Sequence, residues 1–303
     1  MQRRRYVIVC AVVAAVFASW LAGRWIAPRE TMIQEDALFR GPTYSSGWQD
    51  RAFFDRAYER GTDGTKGAED VEIVSVLSAH HLLVADKMAQ VFEVIATDEQ
   101  VTVVVVGPNH FDAGKSSAQV SFGGWETPYG IVESDADAVR QLLDRSEMLV
   151  HEEMAQAVGE HSIAALTPFV AVSLPNARIV PILVHESLSP EEAWTLGEII
   201  ARELPNALLV ASVDMAHYMD AEATAAVDAE VLARVETGWR CDGIPCVENV
   251  EIDSNASMRV LAGFNAARGA VTWTLTHHGS SLEMGAAKDP AENTSHILGY
   301  FSL

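Results

Sequence analysis

Apolar positions after residue 71 alternate between two periods. Val71–Leu77 and Val101–Gly107 are short apolar runs of strand length, whereas Leu82–Ile95 spaces its apolar residues at helical intervals. The unbroken valines of the second run predict a strand covered on both faces. Ala118–Phe122 reads as a short strand ahead of the turn-rich stretch GGWETPYG. Ser134–Leu143 opens with Ser-Asp and predicts a capped helix, and His161–Val172 predicts another. Arg178–Val184 is a strand. Ser189 before Pro190-Glu191-Glu192 marks a helix start, with Pro at the first helical position and the helix running to about Leu204. Ala207–Val213 is a strand, Ala221–Glu236 and Ser254–Ala267 are helices, and Val271–Thr276 and Ile297–Phe301 are late strands. Strands alternating with helices predict an α/β fold: a single domain with a mainly parallel or mixed central sheet flanked by helices.

The chain before residue 71 follows neither period. Arg3, Arg4 and Arg5 precede the uncharged apolar stretch Tyr6–Ala22, which reads as export or anchoring. Two forms stay open. One is a signal-anchor that spans with Arg24 snorkelling to the interface. The other is a signal peptide cleaved near Val16-Phe17-Ala18. Both leave the arginines in the cytoplasm and the rest of the chain outside. Residues 1–27 are therefore a signal-anchor or signal peptide. Residues 28–70 are a linker and lead-in that packs Trp48, Phe53 and Phe54 onto the domain, and 71–303 are the α/β domain. An oxidising location makes Cys241 and Cys246, in CDGIPC, candidates for a small-loop disulfide, with two free thiols as the alternative.

Charge narrows the partners. Forty-two acidic against 21 basic residues give a net charge of -21, a surface that repels phosphate backbones and excludes nucleic acid. The three cysteines form no CxxC pair, so a thiolate zinc site is excluded. No G-x-S-x-G elbow and no phosphate-binding G-x-x-x-x-G-K-[ST] loop occur.

The chemistry sits where strands end. His80 and His81 follow the first strand, His110 follows the second through Gly107-Pro108-Asn109, and Asp214 and His217 follow Ala207–Val213. Carboxyl ends of parallel strands converge on one edge, where ligands bind, so these groups point to a metal. His80 suits coordination through one nitrogen, and its neighbour His81 points elsewhere. Asp214 and His217 form D-x-x-H, which at helical spacing puts carboxylate and imidazole on one face, as metal ligands or as an oriented acid–base pair. His161, after Glu160, either meets a substrate at the pocket mouth or caps its helix. His151, His185, His277, His278 and His296 lack such a setting and read as surface or structural.

The blocks SAHH, GPNHF, EHSIAALTPFV, PILV, SVDMAHY and the closing HILGYFS, in this order from about Val71 to Leu303, resemble the Memo family, also called AmmeMemoRadiSam system protein B. The resemblance implies a fold like that of the class III extradiol dioxygenases, with metal-binding histidines at His80 and His110. It also implies supporting roles for Asp214, His217 and His161, the candidate catalytic residues. The family carries a cysteine in a CG-x-x-P-I stretch before a helix, and here Asp253 stands in its place. That departure removes thiol chemistry. It also yields two histidines and a carboxylate, His80, His110 and Asp253, the donor set that favours non-haem Fe(II). Alternatively, Asp253 N-caps the helix that follows it.

The expected function is a mononuclear divalent metal pocket, Fe(II) favoured and copper the second choice, serving a metal-dependent oxidoreductase or dioxygenase that acts on a small molecule. A non-catalytic metal- or ligand-binding protein anchored at the membrane is the alternative, and a metal-assisted hydrolase the third. The expected partners are a small-molecule ligand and the membrane, reached through residues 6–22, with the domain outside the cytoplasm, anchored or secreted.

Overall fold

Val103, Val104, Val105 and Val106 are all fully buried, as expected of a strand with helices on both faces, and they mark the middle of an eight-stranded sheet. The computed structural model describes residues 41–61, 71–153 and 159–303. In chain order the first half runs β1 (Thr43–Ser45), α1 (Arg51–Gly61), β2 (Ile73–Ser78), α2 (Ala85–Val94), β3 (Thr102–Pro108), β4 (Ala118–Val120), β5 (Gly124–Thr127), β6 (Gly130–Val132), α3 (Ala136–Arg145) and β7 (Leu149–His151). The second half runs α4 (His161–Ala164), α5 (Thr167–Ser173), β8 (Arg178–Val184), α6 (Pro190–Glu203), β9 (Leu208–Ser212), α7 (Ala221–Glu236), β10 (Arg240–Cys241), β11 (Ile244–Pro245), α8 (Asn255–Arg268), β12 (Thr272–Ser280) and β13 (Ser295–Ser302).

The main sheet has the order β12-β13-β2-β9-β3-β8-β4-β7. Its four central strands, β2, β9, β3 and β8, are parallel, so their carboxyl ends share one edge. β13 runs antiparallel to β2, β12 antiparallel to β13, and β4 antiparallel to β8, which makes the sheet mixed. Side chains alternate along each strand. Val104 and Val106 join the apolar layer under α3, α6, α7 and α8, and Val103 and Val105 join the layer under α1, α2, α4 and α5. Arg40–Leu303 form one compact unit.

Two helices on one face touch backbone to backbone. A Cβ on Gly197 of α6 would fall 2.1 Å from the Val260 carbonyl oxygen, and one on Gly263 of α8 would fall 2.1 Å from that of Trp194. Only glycine permits this approach. It fixes α8, whose amino end carries Asp253. At the start of α6, Ser189 and Glu192 form the reciprocal capping box and Pro190 leads the helix.

Several elements differ from the sequence reading. GGWETPYG contains the β5–β6 hairpin, and β1 pairs with β5 to make a separate three-stranded sheet. Trp125, 1 % exposed, anchors that hairpin. The expected helix His161–Val172 is broken into α4 and α5. Pro168 has no N–H to give the Ala164 carbonyl, which instead accepts from Thr167 Oγ1 at 2.9 Å. β7 lies in a stretch with no predicted strand. In the lead-in, Phe54 of α1 is fully buried against Phe169, with ring centroids 5.3 Å apart, while Trp48 leans on Phe53 and stays half exposed. Cys241 and Cys246 are disulfide-bonded across the β10–β11 turn. The Tyr6–Ala22 stretch lies outside the described residues. Among the described residues no helix is long and apolar enough to cross a membrane.

Candidate metal centre

Strands β2, β9 and β3 are adjacent and parallel, so the residues that follow them, His80, Asp214 and His110, arrive at one place. The loops are tied together there. The His80 backbone N–H donates to Asp214 Oδ1 at 3.1 Å. The Asn109 backbone N–H donates to the Val184 carbonyl and its side-chain amide to the Ala113 carbonyl, which turns His110 out of β3 towards the crevice.

His80 is fixed in one tautomer. Its Nδ1 lies 3.0 Å from Ser212 Oγ, and that hydroxyl already donates its proton to the Ser162 carbonyl. Ser212 therefore accepts, Nδ1 carries the hydrogen, and Nε2 presents its lone pair. Burial holds the His80 pKa down at about 4, against the pull of Asp253, so the ring is neutral near pH 7. Its Nε2 faces Asp253 Oδ2 at 3.5 Å and Asp214 Oδ2 at 3.6 Å.

His110 is clamped between two carboxylates. Nδ1 donates to Glu160 Oε1 at 2.7 Å, the backbone N–H donates to Glu160 Oε2 at 2.8 Å, and Nε2 lies 3.0 Å from Asp253 Oδ1. Burial disfavours its charge, but the bonds to Asp253 and Glu160 outweigh that and raise the pKa to about 10. Glu160 is 1 % exposed. Burial would raise its pKa, yet the bonds from His110 and the Ser162 backbone bring it below the ordinary carboxylate range. A carboxylate on the outer nitrogen of an imidazole is the usual support of a metal ligand.

Asp253 is not spent on capping. Ser254 is the N-cap of α8, its side chain accepting from Ser257 N. Asp253 Oδ2 is buried with no hydrogen-bond partner among the described residues. An ionised oxygen in that state is costly unless a cation meets it. The His110 bond nonetheless keeps the Asp253 pKa below its ordinary value against the effect of burial. His80 Nε2 thus faces the unpartnered Oδ2 and His110 Nε2 the other oxygen of the same carboxylate, two imidazoles and one carboxylate of a kind that fits a divalent transition metal.

His161 belongs to the same cluster. Its ring stacks on His110 with centroids 4.3 Å apart and meets His80 edge-on at 5.2 Å. One ligand-capable atom each from His80, His110 and His161 lies within 4.8 Å of the others. The helix-capping role expected as its alternative falls to Glu160, whose side chain accepts from Ser162 N. Asp214 is buried, and burial together with the nearby Asp253 charge raises its pKa. The helical D-x-x-H geometry does not form. Met215 N donates to the Ser295 carbonyl and Ser295 N to that of Ala216, which holds residues 214–217 extended against the start of β13. His217 bridges to Thr294 at the crevice wall, and no hydrogen bond joins it to Asp214 among the described residues.

Behind this cluster His81 faces His296, Nδ1 to Nε2 at 3.2 Å. His296 is fully buried, and burial with the surrounding imidazoles lowers its pKa to about 3. Of the remaining histidines, His278 pairs with buried Asp228 at 2.9 Å and His185 with Asp112 at 2.6 Å, and neither lines the cavities at the cluster. A cavity of about 410 Å³ opens over His110, Asp253, His217 and Tyr218, and a second of about 310 Å³ lies by His81, Leu82, Trp48 and Gly47. His80, His161 and Asp214 line both.

Glu160 and Ser212 are the site residues the sequence reading left out. Both act on the outer nitrogen of a ligand-capable ring, from segments distant in sequence. Both open blocks that carried the family resemblance, EHSIAALTPFV and SVDMAHY, but nothing in those blocks assigned either residue a role.

A family model described as Memo-like protein matches residues 51–288. A "MEMO1 family protein" of Caldivirga maquilingensis is 34% identical over 135 residues, 44% of this chain and 48% of that protein. One of Thermotoga maritima is 33% identical over 147 residues, 48% of this chain and 52% of that protein, and one of Methanopyrus kandleri is 29% identical over 206 residues, covering 67% and 71%. This chain thus spans about half the length of the first two. Among solved structures, an uncharacterized protein from Escherichia coli K12 shares the fold, with a TM-score of 0.50 at 15% identity over 75% of this chain and 99% of that one.

Proposed function

The chain belongs to the Memo family, and from that premise we propose that it holds one divalent metal ion through His80, His110 and Asp253 and acts there on a small phenolic molecule. The observation that carries this reading is the unpartnered, buried Asp253 Oδ2 facing the lone pair of His80. Two imidazoles and one carboxylate favour Fe(II), with copper second. Held by these residues, the ion would supply Lewis-acid binding of a phenolate and activation of dioxygen.

The protein's own groups do the rest. Ser212 holds His80 in the tautomer that offers Nε2. Glu160 keeps the Nδ1 proton of His110 while Nε2 gives its proton up. Asp214, with its raised pKa, keeps a proton closer to neutral pH than an ordinary carboxylate and handles proton transfer at Oδ2. His217 and His161 stand at the mouth, where they orient a ligand, and the cavity of about 410 Å³ falls in the size range of small-molecule sites.

A second reading, metal holding without turnover, draws on His161. A fourth protein donor would close the coordination sphere, which suits storage or a structural role better than catalysis. We also place the domain outside the cytoplasm, tethered through residues 6–22 or released by cleavage. The Arg3–Arg5 cluster and the Cys241–Cys246 bond support that location.

The test loads metal-free protein with Fe(II) anaerobically, adds a catechol, and follows oxygen uptake and ring-opened product. Turnover that disappears in His80→Ala and His110→Ala supports the enzyme. Metal binding lost in the same variants without any turnover supports the holding role. Unchanged metal binding in both variants overturns the site.

A further inference from the structure

His81 is the neighbour of a proposed ligand, yet its side chain points into a different group. It sits ahead of a short 3-10 turn, Leu82–Val84, without capping it. Its Nδ1 lies 3.2 Å from His296 Nε2. Two donors at about 2.0–2.2 Å from one ion stand roughly 3.0–3.5 Å apart in octahedral or tetrahedral arrangements. The observed separation falls within that span.

The third member is a carboxylate. One atom each from His81, Asp214 and His296 lies within 4.8 Å of the others. Asp214 Oδ1 is engaged by the His80 backbone N–H, and Oδ2 lies on the His80 Nε2 side, so this carboxylate stands between the two clusters. His296 is immobilised in β13, fully buried, and its Nδ1 has no partner among the described residues, so Nε2 is its one engaged nitrogen. His81 lines the cavity of about 310 Å³ and not the one over His110 and Asp253, whereas Asp214 lines both. The chain's strong negative charge draws cations towards both.

We propose that His81, His296 and Asp214 form a second divalent transition-metal site, entered from the Trp48 side of the wall and separate from the His80–His110–Asp253 site. Two imidazoles and one carboxylate make it nitrogen-rich, suited to zinc, copper, nickel or iron rather than to calcium or magnesium. The site does not depend on the first.

The experiment titrates chelator-stripped, full-length protein with Co2+ alone. It counts the equivalents that survive gel filtration and records the visible absorption of the bound ion. Wild type is expected to retain two. His81→Ala, at a partly exposed position, is expected to retain one and lose its share of the absorption, and a further His110→Ala change removes the last. His296→Gln repeats the test from the buried side, with circular dichroism as the check on folding. One equivalent in wild type, kept by His81→Ala but lost in His110→Ala, overturns the second site and leaves the first intact. One equivalent lost in His81→Ala and kept in His110→Ala supports the second site and overturns the first. Two equivalents kept by His81→Ala overturn the proposal.

Discussion

Glu160 and His110 are joined twice, one carboxylate oxygen accepting from the ring Nδ1–H at 2.7 Å and the other from the backbone N–H at 2.8 Å. One carboxylate thus holds both the ring and the loop that carries it. Replacing Glu160 by Gln keeps the shape but removes the charge that supports the imidazole. Metal affinity in Glu160→Gln is expected to fall about 10–100-fold, with the circular dichroism spectrum unchanged. Isothermal titration with Fe(II) or Co2+ measures it, and wild-type affinity would mean that Glu160 only caps α4.

Ser212 decides which nitrogen of His80 faces the crevice. In Ser212→Ala the buried Nδ1–H loses its acceptor, at a cost of about 1–3 kcal/mol in stability. The ring is then free to shift its proton to Nε2, and metal affinity drops with it. Chemical denaturation and metal titration on the same variant separate the two effects.

The metal-free protein should be most stable between acid and alkaline limits. His80 has a folded pKa of about 4 and His296 about 3, both below 6.5, so as pH falls below 6.5 the unfolded chain binds protons that the folded chain refuses. Stability declines as pH drops through that interval. His110 behaves oppositely. With its folded pKa at about 10, its contribution is fully present below 6.5 and is lost as pH rises towards 10. Melting temperatures of chelated protein across that range give the curve, and His110→Asn should flatten its alkaline side.

Metal binding at His110 Nε2 must displace a proton there. Apparent affinity should therefore climb about tenfold per pH unit below the His110 pKa. Calorimetry in buffers of different ionisation enthalpy counts the released proton directly.

Gly197 and Gly263 let α6 and α8 meet at their backbones. A methyl group at either position must push the helices apart, and overpacking of this kind costs about 1–3 kcal/mol. Gly263→Ala should lower the melting temperature and, by moving α8, weaken metal binding at Asp253. An alanine variant with wild-type stability would contradict the packing described.

Sequence carried the histidines well because the pattern that ends a strand also places its next residues at the ligand edge, so His80 and His110 needed no structure to be paired. Asp253 was legible only through the resemblance, since nothing local separates it from a cap. The D-x-x-H reading erred because helical spacing was assumed where β13 holds the chain straight through Ser295. Glu160 and Ser212 were missed for a physical reason. They bind the far side of a ring, 50 and 132 residues from the histidine they support, and no motif spans such distances. His296 fell just outside the predicted strand Ile297–Phe301 and read as surface or structural, whereas β13 begins at Ser295 and buries it facing His81.

The N-cap of α8 is Ser254, one residue past the carboxylate. Helix initiation and ligand chemistry therefore fall on adjacent but independent codons. If Asp253 is the proposed donor, position 253 could exchange a hard oxygen for a soft sulfur without touching the cap, and the metal the pocket prefers would change with it. In the proposed site this makes position 253 the place where the donor chemistry can change while the helix start is left as it is.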